Sequence, residues 1–161
     1  MRNITGGIGM EYLVFSLGFI VIHIISYMIA GVLSLRINKD IYEGKSRSMD
    51  YHRDMTDAAE SKHVHKWLFP GQIMRGLVFS IILYPVLSQL GEVTFIARYA
   101  FFAGLMFVYT HLACAAPCPD NIEGFLYMKE EYIKKSSFIR FQFEMIIYSL
   151  ILGLLVSYFL F

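Results

Sequence analysis

The sequence predicts an all-α integral membrane protein, a four-transmembrane-helix bundle with a short amphipathic interfacial helix before the last span. Three observations predict it. The hydrophobic fraction is 57% with mean hydropathy +0.53, the apolar content gathers into four long blocks, and the charges fall unevenly between those blocks. The blocks cover residues 12–35, 68–90, 95–116 and 141–161, each near the roughly 20 residues a helix needs to cross about 30 Å of hydrocarbon. With 161 residues, the spans leave only loops. The expectation is one membrane domain over 1–161, with any chemistry in the bundle or its connections.

The first block follows the polar lead MRNITGGIGMEY and is too long for the apolar core of a signal peptide, so it reads as a retained span. The loop 36–67 has few apolar residues and alternates charge signs. Within it Ser48 is a candidate cap for a helix through about Ser61, supported by the spaced pair Arg53 and Asp57. Trp67 and Phe69 suit the membrane interface where the second span begins. Pro85 predicts a bend in that span, because proline removes an amide donor and crowds the preceding turn. The turn Gly91-Glu92-Val93-Thr94 is so short that spans two and three are expected to be touching antiparallel neighbours.

In the segment 117–140, Asn121 is placed to cap a short helix that gathers Ile122, Phe125, Leu126 and Ile133 on one face, with Lys129, Lys134 and Lys135 beside them or at its end. That pattern suits a helix lying among anionic headgroups. Small residues recur four apart at Ser26, Ala30 and Ser34, at Gly76 and Ser80, at Ala100 and Gly104, and at Ser149, Gly153 and Ser157. Such stripes let helices approach closely in lipid, within one chain or between copies. A homo-oligomer or a place in a larger membrane complex is compatible with them.

Most of the fourteen basic residues lie in the loops 36–67 and 117–140 or beside them at Arg75, leaving Arg2 and Arg98 for the other side. The positive-inside rule then expects both loops in the cytoplasm and both termini outside, in the plasma (inner) membrane. A net charge of +1 gives no bulk attraction to nucleic acid. Cys114 and Cys118 fall at the reducing side under this topology and lack the spacing of a zinc or redox pair, so they read as free thiols.

Polar residues inside spans are costly and mark candidate sites. By position along the spans Gln72, Arg75, His111, Gln142 and Glu144 share one layer near the cytoplasmic face, with Asp120 and Glu123 just above. Arg75 is expected to pair with Glu144 or Glu123 while His111 and Gln142 bond beside them. Such a layer is either an interhelical clamp or a pocket able to hold a lipid phosphate, a quinone headgroup or a small anion through Arg75. His23 lies mid-span and needs an internal partner; pairing with His111 around a haem, and a proton relay toward Glu144, are the sharper alternatives. His52, His63 and His65, set among Asp50, Asp54, Asp57 and Glu60, are weak metal candidates without a compact motif.

There is no GxSxG, phosphate-binding loop or dinucleotide fingerprint to support an enzyme. The leading expectation is a non-enzymatic accessory or lipid- or small-ligand-binding subunit whose partners are membrane lipids. The alternatives are a small transporter or proton-coupled carrier, and a haem- or quinone-binding redox subunit.

Overall fold

Apolar runs free of strong helix breakers give long helices, and the chain's breaks fall at prolines, glycines and capping residues. The computed structural model describes residues 4–44, 52–133 and 135–161, with side chains from Gly9 onward except at 135–137. The described residues form helices and turns without strands. Helix α1 (Ile4–Ile37) is followed by the one-turn α2 (Lys39–Tyr42). Helix α3 (Ala58–Leu83) begins where the Asp57 carboxylate accepts from the amides of Ala59 and Glu60, the side-chain cap that an exposed helix start favours. It starts ten residues before the apolar block it carries, and Pro70 does not interrupt it.

The cap expected at Ser48 lies outside the described residues. The rest of the expected helix through Ser61 is corrected: residues 52–57 form a turn that leads into α3, and Asp57 serves as a cap rather than as an ion-pair partner of Arg53. At Pro85, where a bend is expected, the α-helix gives way to a 3-10 turn, Tyr84–Val86, between α3 and α4 (Leu87–Glu92). Thr94 then caps α5 (Phe95–Gly104), which continues as a π-helical segment, Leu105–Leu112. The third helical stretch therefore stops short of Ala116. Asn121 caps α6 (Ile122–Tyr127), Ile133 lies beyond its end, and α7 (Lys135–Phe159) closes the described fold.

Four of these stretches are long and apolar enough to cross a membrane: Gly9–Ile37, Ala58–Glu92, Phe95–Leu112 and Phe138–Phe159. Helices α1 and α7 are central; α3 packs chiefly on α1, and α5 chiefly on α7. This corrects the expected pairing of spans two and three, which meet around their turn but share no extended face. The turn fixes only the ends of α4 and α5, and beyond it each helix follows the apolar face that buries most on a central partner.

The core runs through Phe15, Phe19, Phe102, Met106, Leu152 and Val156, all buried. Small residues set the close contacts. A Cβ at Gly153 would stand 2.9 Å from the Ala103 amide nitrogen and 3.1 Å from the Tyr99 carbonyl oxygen, so α5 and α7 approach each other at the level of the backbone there. Ser26, Ala30, Ser34, Ser80, Ser149 and Ser157 are likewise buried. The Ala100 and Gly104 stripe is different, since Ala100 is exposed and Ala103 takes the contact.

Candidate functional site

The packing of α1 against α3 sets the depth of the first polar cluster. Gly76 meets α1 so closely that a Cβ there would lie 3.1 Å from Ile20 Cα and 3.4 Å from His23 Cδ2. That register brings Gln72 and Arg75 level with the middle of α1, not near its end. The single polar layer expected from sequence is therefore split into separate clusters at different depths.

His23 is fully buried. Its Nδ1 is 2.7 Å from Tyr148 Oη and its Nε2 is 2.9 Å from Gln72 Oε1. Neutral imidazole suits both contacts: the Nε2–H donates to the Gln72 oxygen, and Nδ1 accepts from the Tyr148 hydroxyl. Tyr27 and Phe79 complete the surroundings, with ring centroids 6.4 Å and 6.2 Å from the histidine. The half-buried Arg75 guanidinium lies 5.5 Å from the Phe79 ring centroid. It has no ion pair or hydrogen bond among the described residues.

The expected pairing of Arg75 with Glu144 or Glu123 is thus corrected. Glu144 accepts from Ser34 Oγ and, at 3.1 Å, from the Tyr42 hydroxyl. Asn38 Nδ2 donates to Ser34 Oγ at 3.1 Å. Burial, followed by the neighbouring Glu144 carboxylate, raises the Tyr42 phenol above its ordinary range and keeps it a donor. Glu123 lies in the first turn of α6, away from Arg75's cluster. The Glu144 cluster sits near the end of α1, beside the Arg140 and Asp40 pair at 2.6 Å.

The third cluster brings together His111 and Gln142. His111 Nε2 is 3.1 Å from Gln142 Oε1, its Nδ1 is 3.5 Å from Asp120 Oδ2, and Gln142 Nε2 donates to the Asp120 carbonyl at 2.6 Å. The Asn121 side chain holds the adjoining turn by accepting from the Cys118 and Gly124 amides and donating to the Cys114 and Ala116 carbonyls. Cys114 and Cys118 are free, and burial, Asp120 and Cys114 together raise the Cys118 thiol.

The histidine pairing expected for haem is not formed, because His23 and His111 belong to different clusters and each ring already faces protein partners through both nitrogens. Nor do the weak metal candidates converge. His63 and His65 are exposed, His65 bonds Ser61, and His52 stacks on Tyr42 at 6.1 Å. Among the described residues no three His, Cys, Asp or Glu side chains form a group able to hold a metal ion.

Two features escape a reading of the sequence alone. Arg98 is buried, donates to the Leu90 carbonyl at 3.0 Å and lies 4.6 Å from the Phe161 ring centroid. Its position just after the Gly91 to Thr94 turn is the available signal. Tyr148 and Tyr42 are the second feature, because tyrosine in or beside an apolar run reads as core or interface. A cavity of about 710 Å³ lies at the opposite end of α1, among Met10, Phe15, Pro85, Leu87 and Phe161. Its walls are mostly apolar, and the Tyr84 hydroxyl beside it is already held by Ser16.

Fold and site together define a class: an all-helical chain with four membrane-length helices and polar clusters built around its two central ones. In the comparisons with known proteins no family matches the chain, and no characterised protein or solved structure is significantly similar to it.

Proposed function

We propose that the protein is a small integral membrane protein of four spans that acts without catalysis, as an accessory or ligand-binding subunit. Its site is the cluster of His23, Gln72, Arg75 and Tyr148. The positive-inside rule favours the loops 36–67 and 117–140 in the cytoplasm and both termini outside. In that orientation Ile122, Phe125, Leu126 and Tyr127, all exposed on the short α6, rest at the inner interface beside Trp67 and Phe69. Membrane lipids are the first partners, and the exposed α5 stripe suits a second copy or a larger subunit.

The observation that carries the reading is Arg75. Within the longest of the membrane-length helices, a half-buried cation without an ion-pair partner among the described residues is costly, and a bound ligand would offset that cost. Native mass spectrometry after gentle extraction tests it: a stoichiometric small-molecule mass, lost on Arg75→Gln, supports a ligand-binding protein. A bare chain that unfolds no differently in the variant contradicts it.

A proton-coupled carrier is the second reading. It is favoured by the Tyr27 and Tyr148 rings, 6.4 Å apart and both beside His23, with Glu144 one turn from Tyr148 along α7. Gradient-driven flux in liposomes, abolished by His23→Gln with folding intact, would select it over the first.

A further inference from the structure

The hydrogen-bonding capacity of the first cluster is unbalanced toward donors. His23 and Tyr148 satisfy one another, and Gln72 gives its oxygen to the histidine ring. What remains is the Gln72 amide NH2, with two N–H groups, and the Arg75 guanidinium, with five. Neither group has an acceptor among the described residues. The two side chains are three residues apart on α3, so they share one face of that helix. The nearest expected carboxylate, Glu144, is taken by Ser34 and Tyr42.

A quinone or another neutral acceptor would satisfy some of these donors but leave the positive charge uncompensated. An oxyanion does both. We propose that Gln72 and Arg75 form the recognition pair for an oxyanion, a phosphate or carboxylate group, carried on a lipid or free in solution. The inference rests on the ligand-binding reading above and names the ligand's chemistry. The planar guanidinium grips two oxygens of the anion, and the Gln72 amide takes a third contact. His23 and Tyr148 are positioning residues: His23 occupies the Gln72 oxygen and so turns its NH2 away from the ring, and Tyr148 holds the histidine through its other nitrogen. The Phe79 ring supports the guanidinium from its other face.

The experiment compares the full-length protein in nanodiscs of zwitterionic phosphatidylcholine containing increasing phosphatidylglycerol, with lipid retention read by native mass spectrometry. A parallel arm titrates inorganic phosphate and acetate into detergent-solubilised, lipid-stripped protein and follows thermal unfolding. Retention of phosphatidylglycerol over phosphatidylcholine, weakened about 10-fold to 100-fold by Arg75→Gln and less by Arg75→Lys, supports the proposal with a lipid source. Stabilisation by phosphate or acetate that Arg75→Gln removes supports it with a free anion. His23→Gln provides the second handle, since misdirecting the Gln72 amide lowers anion selectivity without removing the charge.

If folded Arg75→Gln protein keeps the same preference and the same anion response, the oxyanion assignment is overturned. Retention of a neutral molecule by wild type and Arg75→Gln alike overturns that assignment while sparing the ligand-binding reading. Protein that retains nothing in any arm overturns both.

Discussion

On one side of α7, Gln142 meets His111, and Asp120 supplies both a carboxylate to the ring and a carbonyl to the glutamine amide. On another side, Tyr148 meets His23, whose second nitrogen goes to Gln72, and the neighbouring charge is the cation of Arg75. Both clusters pair a buried histidine with a glutamine. The first is internally matched, with a partner inside the cluster for each ring nitrogen and for the glutamine amide. The second leaves a cation and an amide without acceptors among the described residues. Polar groups inside a helical assembly therefore need not share a role: one cluster fixes the register of α7 against the turn before α6, and the other has capacity left over for a ligand.

The largest effect expected on this contrast comes from separating α1 and α3. Gly76→Leu would push side-chain atoms into Ile20 and His23, costing roughly 1–3 kcal/mol. It should disrupt the His23 cluster while leaving His111 in place, a difference readable from thermal unfolding together with histidine NMR signals. Next, His23→Ala leaves Tyr148 and Gln72 without their shared partner and should cost about 1–2 kcal/mol. Gln142→Ala should cost less, about 0.5–1 kcal/mol, because Asp120 remains beside His111. Equal losses at the two sites, measured by reversible unfolding in the same detergent, would erase the distinction between them.

The smallest effect lies at the surface pair of Asp40 and Arg140. A hydrogen bond from Arg140, with its positive charge, holds the Asp40 carboxyl below its ordinary range. A carboxyl depressed in the folded state stabilises above its unfolded pKa, and the contribution fades as pH falls below about 4. Because both side chains are substantially exposed, Asp40→Asn should cost less than about 1 kcal/mol at neutral pH. The difference from wild type should vanish in acid, which unfolding curves at several pH values would check.

Much of the architecture was legible because it depends on local rules. Block lengths foretold the four membrane-length helices, Pro85 the break before α4, and Asn121 the start of α6. The contact of His111 with Gln142 was also legible, because each stands close to the same connecting segment. Helix neighbours were not. The short turn between α4 and α5 suggested contact, whereas burial of Phe19, Phe102 and Val156 organises the helices around α1 and α7. The partners of Glu144 depended on that arrangement, since Ser34 and Tyr42 lie about a hundred residues away in sequence. Arg75's depth was hidden for the same reason: Gly76 sets it through a contact with Ile20 that no periodicity reveals.

The most direct test of the contrast is native mass spectrometry of three proteins extracted gently from the same membranes: wild type, Arg75→Gln and Gln142→Ala. A bound small-molecule mass is predicted in wild type and Gln142→Ala and is predicted to disappear in Arg75→Gln, with all three chains folded. The same bound mass in all three, or its loss only from Gln142→Ala, would contradict a ligand site built on Arg75.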